Sequence, residues 1–301
     1  MAFKIGLALG GGGVRGLASI GVLRALDEAG IKPAVISGTS MGAIVGAIYA
    51  DNTDIDKTEE TIKTYLNSEE FLKKAHRLSQ SSDMDKGFLD RVFGKAKKGY
   101  FFYRFLLRKS IVSPEIFFLE LDQIIPDKPF ADLLISFACV ALDLASGMPE
   151  ILHSGSIQDA VRASSAVPGI LPPVRMGNRV YVDGGWTESV PAAAARALGA
   201  DFVIGVDVSR EILPVDFDED MKNSMDIMFR ADDIARSMMN TMRTREADFV
   251  VHPRVGSAEW SDFDNLENYI SAGYRAAEEV IPSLKKALLF SKIKGLLWMR
   301  S

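Results

Sequence analysis

Apolar positions in the first fifty residues form two short runs, each closed by glycines and followed by a helix-like stretch. Ile5-Gly6-Leu7-Ala8-Leu9 has the length and continuity of a buried strand, predicted over 4–9. Gly10-Gly11-Gly12-Gly13-Val14-Arg15-Gly16 then turns the chain into a predicted helix from about Val14 to Ala29, stopped by Gly30. A second strand over 34–37 runs into Gly38-Thr39-Ser40-Met41-Gly42 and a helix through Tyr49. Strand, turn and helix repeated in this way imply parallel strands with helices on both faces.

Beyond Asp54 the pattern is polar and helical to Leu78, with Leu66, Phe71 and Leu72 as buried contacts. The stretch 79–113 looks least like core, because Gly87, Gly94 and Gly99 punctuate lysines and aromatics. Strand patterns return at 134–142, 150–153, 180–182, 202–208 and 249–252, and helical ones at 157–164, 192–198, 221–244 and 273–289. No internal repeat or dividing linker interrupts them. The expected fold is one α/β unit over 1–301, three layers (α/β/α) around a mainly parallel sheet. It carries a lid or interfacial insert around 79–113 and a helical tail over 273–301.

A chain of 301 residues with 48% hydrophobic residues can fill a large core. Its net charge of −5 argues against a nucleic-acid partner. Cys139 is the only cysteine, which rules out an internal disulfide and a cysteine-based zinc cage and suits a reducing compartment. No signal peptide is evident at the N-terminus. The uncharged run from Pro33 to Ala50 approaches membrane-spanning length, but Pro33, Gly38 and Gly42 break it. The expectation is a cytoplasmic protein with peripheral contact at the inner membrane surface.

The two glycine turns suggest one chemistry. A G-x-S-x-G between strand and helix is a nucleophile elbow, which holds the serine hydroxyl above the sheet. A glycine run ending a neighbouring strand offers backbone N–H groups to an oxyanion. Serine needs a base, and the chain has three histidines. His76 sits in a polar helix and His153 at a strand end before a turn. His252 would complete the order Ser40…Asp183…His252 of a hydrolase triad, but Pro253 follows it and no loop presents the imidazole. Asp183, in Tyr181-Val182-Asp183-Gly184-Gly185, is the better partner. A carboxylate at the end of an apolar strand can approach the serine closely, and desolvation makes it a stronger base.

Gly11-x-Gly13-x-x-Gly16 also fits a dinucleotide fingerprint, but the next strand ends without the acid that would hold a ribose. No Gly-Lys-Ser/Thr closes the turn as a P-loop requires.

Taken together, Gly11–Gly16, Gly38–Gly42, Asp183-Gly184-Gly185 and the segment Ala163-Ser164-Ser165-Ala166-Val167-Pro168-Gly169 resemble the patatin-like phospholipases, lipid acyl hydrolases with a Ser–Asp dyad. The resemblance runs from about residue 4 to 210 and implies a phospholipase A or lysophospholipase type of activity through an acyl-enzyme. By it Ser40 is the nucleophile and Asp183 the general base. Gly11, Gly12, Gly13 and Met41 donate to the oxyanion, and neither metal nor organic cofactor is needed. Arg15 either anchors the glycine turn or meets a lipid phosphate. Where the family often has an asparagine before a proline, this chain has Glu188-Ser189-Val190-Pro191. An acyl-CoA thioesterase, an acyltransferase and a lipid-binding protein on the same fold are the alternatives.

Two segments could meet a lipid surface. Residues 95–109 combine six basic residues with dense aromatics and no acid, and 288–300 place Leu289, Ile293, Leu296 and Leu297 at helical spacing.

Overall fold

The computed structural model describes residues 3–68, 121–209, 212–255 and 265–298. The expected segment 79–113, His76 and the basic aromatic stretch 95–109 lie outside them.

Among the described residues, eight strands form one sheet. They are β1 (Ile5–Leu9), β2 (Val35–Gly38), β3 (Ser136–Asp143), β4 (Met148–Leu152), β5 (Val174–Met176), β6 (Arg179–Asp183), β7 (Phe202–Val206) and β8 (Phe249–Val251). The order is β5-β6-β3-β2-β1-β7-β8, with β4 also paired to β3. Strands β3, β2, β1, β7 and β8 are parallel. The two faces of β1 show why its sequence is apolar throughout. Leu7 and Leu9 join Ile36 in the main core, under α1 (Ala18–Glu28) and α2 (Met41–Asn52). On the other face Ala8 packs with Val35 and Val203 against the alanines of a short helix, Ala192–Ala197, so β1 is covered on both sides. The uncharged run 33–50 is thus a buried strand and a buried helix joined at the elbow.

Strands β4, β5 and β6 pair antiparallel, so the sheet is mainly parallel, as expected. Three details depart from the sequence pattern. Strand β5 was not expected; it is only three residues long, though the Gly177-Asn178 turn joining it to β6 is a recognisable hairpin signal. The residues after Gly13 form a 3-10 turn, Gly13–Leu17, before the α-helix begins at Ala18. The last helix runs from Leu266 to Trp298 rather than starting at Gly273. Gly273 is not a boundary but a crossing point, since a Cβ there would lie 1.9 Å from the carbonyl oxygen of Ala18 on α1.

The remaining described helices are α3 (Ile55–Leu66), α4 (Ile157–Ser164), α5 (Ala192–Ala197), α6 (Phe217–Asp220), α7 (Ser224–Thr244) and α8 (Leu266–Trp298). Among the described residues no helix is long and apolar enough to cross a membrane.

Candidate active site

The site is made by an exchange of partners along one edge of β3. Strand β4 holds one edge, from Cys139↔Leu152 to Asp143↔Met148. On the opposite edge β2 pairs only as far as Gly38↔Cys139, and β6 takes over at Asp183↔Ala141. Strand β2 runs parallel to β3 and β6 antiparallel, so their C-terminal ends point at each other, two residues or ~7 Å apart along β3. Ser40 follows one end and Asp183 is the other.

At the first end the chain turns sharply. Ser40 has φ 53° and ψ −122°, a conformation that side-chain-bearing residues rarely adopt and that costs about 1–3 kcal/mol. Close packing requires glycine on either side: a Cβ on Gly38 would lie 2.4 Å from the Gly42 carbonyl oxygen, and one on Gly42 would lie 2.2 Å from that of Leu9. Ser164 and Ser165 brace the turn. Ser164 Oγ accepts from the Ser40 N–H at 3.1 Å and donates to the Val140 carbonyl at 2.7 Å. The Ser165 hydroxyl donates to the Ser40 carbonyl at 3.4 Å. The same segment reaches the second end, where the Ala166 carbonyl accepts from the Asp183 N–H at 2.9 Å.

Ser40 and Asp183 are both buried, 8% and 5% exposed, and the Ser40 hydroxyl favours the charged form of the Asp183 carboxylate. Burial pushes the Asp183 carboxyl up to about 6, against the opposing pull of Ser40, the Gly185 N–H and the Arg236 charge. The Gly185 N–H donates to Asp183 Oδ1 at 2.7 Å, fixing the carboxylate in the turn. Glu188 is a second buried carboxyl in this loop, pushed up to about 7 by desolvation. Its carbonyl accepts from Thr39 Oγ1 at 3.0 Å, tying the loop to the elbow.

The glycine turn lies beside this pair, but its donors are not equivalent. Gly11 was expected to face the oxyanion; instead its N–H is spent on the Ser189 carbonyl at 3.0 Å, and its own carbonyl accepts from Ser189 Oγ at 3.1 Å. The Gly12 and Gly13 N–H groups meet no protein acceptor among the described residues. Met41 begins α2, where the first N–H groups have no intrahelical partner. The donor set open to an oxyanion therefore narrows to Gly12, Gly13 and Met41. Arg15 Nε donates to the Gly12 carbonyl at 3.1 Å, which stiffens the turn from within.

His252 is placed elsewhere. It follows β8, three strand spacings or ~14 Å across the sheet from β2. It is 67% exposed, with Nδ1 3.6 Å from Asp207 Oδ2. His153 is exposed in the loop after β4. Cys139 is fully buried in β3, and burial pushes its thiol up, away from reactivity. Among the described residues no group of three or more His, Cys, Asp or Glu side chains is placed to hold a metal ion.

Sequence reasoning missed how the Asp183 loop is held. Asn240, on α7, accepts from the Ser189 N–H at 2.9 Å and donates to the Gly185 carbonyl at 3.3 Å. One amide thus clamps both ends of the loop, where the family's asparagine is replaced. Arg236, one turn earlier, lies over the Trp186 ring at 4.4 Å. No local signal marks Asn240, which is 51 residues from Ser189.

A strained serine elbow, a shielded carboxylate at the facing strand end and a glycine turn with open N–H groups are the parts that a serine hydrolase site requires. The sequence model of the patatin-like phospholipase family matches residues 7–196, and the chain belongs to that family. Patatin-like phospholipase domain-containing protein ZK370.4 of Caenorhabditis elegans is 31% identical over 206 residues, covering 68% of this chain and 13% of that protein. Human patatin-like phospholipase domain-containing protein 6 is 29% identical over 209 residues, 69% of this chain and 13% of that protein. Lysophospholipase NTE1 of Phaeosphaeria nodorum is 30% identical over 205 residues, 68% of this chain and 12% of that protein. The matched part is thus about an eighth of the length of these curated relatives. Among solved structures, VipD from Legionella pneumophila shares the fold with a TM-score of 0.51 at 16% identity, over 94% of this chain and 67% of that one.

Proposed function

We propose that this protein is a serine lipid acyl hydrolase that cleaves fatty-acyl esters, phospholipids or lysophospholipids among them, through Ser40 and Asp183. The observation that carries this reading is the sharp Ser40 elbow and the buried Asp183 carboxylate at the facing ends of β2 and β6. Relatives named lysophospholipase support the lipid ester as substrate class.

In the reaction, Asp183 takes the Ser40 proton as Oγ bonds to the acyl carbon. The carbonyl oxygen becomes an oxyanion against the N–H groups of Gly12, Gly13 and Met41. Collapse breaks the ester C–O bond, and the proton passes from Asp183 to the leaving alcohol, the lyso product when the substrate is a diacyl phospholipid. Water then attacks the acyl-enzyme, giving its proton to Asp183, and the fatty acid leaves as Ser40 recovers its hydrogen. None of these steps uses a histidine. Access to lipid is by peripheral contact, and residues 1–301 act as one unit.

The test is turnover by Ser40→Ala and Asp183→Asn on phospholipid, lysophospholipid, a short p-nitrophenyl ester and acyl-CoA. Both variants should lose nearly all turnover of the esters while staying folded. Wild type that turns over acyl-CoA in preference to every oxygen ester would move the assignment to a thioesterase or acyltransferase. A folded Ser40→Ala protein that still hydrolyses esters would overturn it.

A further inference from the structure

Where β2 gives way to β6 along β3, one residue of β3 is left between them. Cys139 is the last residue paired with β2 and Ala141 the first paired with β6, so Val140 stands at the junction. Its carbonyl faces that gap: a Cβ on Gly184, the residue after β6, would lie 2.3 Å from the Val140 oxygen. A buried carbonyl needs a donor, and here the Ser164 hydroxyl donates to it at 2.7 Å. The same Oγ accepts from the Ser40 N–H at 3.1 Å, so one hydroxyl gives its proton to β3 and a lone pair to the elbow. Ser164 is itself buried and ends α4, which is anchored by the buried Ile157, Ala160 and Val161. Two residues on, the Ala166 carbonyl accepts from the Asp183 N–H at 2.9 Å. Residues 164–166 thus hold the elbow at one end and the Asp183 strand at the other.

We propose that Ser164 is a positioning residue for ester hydrolysis, its hydroxyl setting the spacing of Ser40 from Asp183. The inference rests on the hydrolase reading above and adds a residue that touches no reacting atom. Ser40 is held at φ 53°, a conformation its own turn does not favour, so it depends on bonds from outside the turn. Its N–H precedes the first turn of α2 and has no acceptor within that helix. Ser164 supplies the acceptor. Without it the elbow relaxes toward an unstrained φ, which carries Ser40 Oγ away from the facing end of β6. A displacement of ~1 Å at the reacting atoms costs about 100-fold in rate.

The experiment compares Ser164→Ala, Ser164→Thr, Ser164→Val and Thr58→Ala in the full chain, on a short p-nitrophenyl ester. Threonine and valine share a branched shape and differ by the hydroxyl, so that pair separates the hydrogen bonds from the packing. Ser164→Ala and Ser164→Val should lose kcat about 10- to 100-fold with KM within about twofold. Ser164→Thr should keep kcat within about fivefold of wild type. Covalent labelling of Ser40 by a fluorophosphonate should slow in parallel with kcat, because it reads the nucleophile directly. Thr58→Ala is the control for lost stability: Thr58 is a buried residue of α3 whose hydroxyl donates to the Asp54 carbonyl at 2.8 Å, and its loss should leave kcat unchanged. Urea midpoints set the loss of stability in each variant beside its loss of turnover. Equal kcat in folded Ser164→Ala and wild type overturns the proposal. So does a folded Ser164→Thr as slow as Ser164→Val, or a Thr58→Ala as slow as Ser164→Ala. If neither branched variant folds, Ser164→Ala decides alone, by the split between kcat and KM. Wild type that hydrolyses no ester would remove the hydrolase reading and this inference with it, whereas active wild type beside an equally active Ser164→Ala removes the inference alone.

Discussion

Replacing Asp183 by asparagine should stabilise the protein at neutral pH while ending its catalysis. The carboxyl sits at about 6 instead of its ordinary 3.8, chiefly because burial strips water from the charged form. A group whose folded value lies above its unfolded one contributes stability that is complete below pH 3.8 and lost as pH rises through about 6. At pH 8 the ionised Asp183 is therefore a liability. The difference, at about 1.4 kcal/mol per pH unit, is about 3 kcal/mol. Asparagine has the same shape, and its Oδ1 can still accept from the Gly185 N–H, so it should recover most of that amount. Urea unfolding of both proteins at pH 8, 5 and 4 reads the effect. With an m value of about 3 kcal/mol/M, the variant midpoint should rise by roughly 1 M at pH 8. The gain should fall to about half at pH 5 and nearly vanish at pH 4, while every other titrating group cancels between the two proteins. By the proposed mechanism the same ionisation sets the acid limb of catalysis: kcat/KM should fall below about pH 6, where the base would be protonated. A variant no more stable than wild type at pH 8, or equally stabilised at pH 8 and 4, would refute the claim of a charged group held against its solvation.

Gly12→Ala should lower kcat about 10²–10³-fold with little change in KM, because one oxyanion donor is typically worth that much; the new Cβ would meet Val208 Cγ2 at 3.0 Å and re-aim the N–H. Equal losses in binding and turnover would indicate a collapsed pocket. Asn240→Ala removes both clamps on the Asp183 loop and should reduce kcat about tenfold or more at near-constant KM. Asn240→Asp, which keeps the acceptor for Ser189, should restore part of it, and unchanged kinetics in the alanine variant would remove Asn240 from the positioning role. His252→Ala should keep activity within several-fold, since the imidazole is exposed beside Asp207; a loss as deep as that of Ser40→Ala would replace the dyad with a triad.

Much of the site was readable in the chain because its parts are local. An elbow needs glycine at fixed offsets from the serine, and Gly38 and Gly42 stand there because any Cβ would strike backbone. The alternating strands and helices were likewise visible in runs such as Ile5–Leu9, whose two faces are both covered. The same local rules misread Gly273 as the start of a helix, because a glycine at a helix boundary and one that lets two helices touch look alike in sequence.

The chain by itself determined which residues could react: a serine in a sharp turn, a carboxylate ending an apolar strand, and a run of glycines after another. Only the tertiary structure decided that they meet. It did so by running β2 and β6 head to head along one edge of β3, a pairing that depends on which strand ends first and leaves no mark in either segment. It also decided which glycine is an open donor, since the Gly11 N–H is taken by Ser189, and it drew Asn240 from a distant helix to hold the loop. Hydrogen bonds between remote segments have no period and no spacing. Their partners are chosen by where the packed strands and helices end in space.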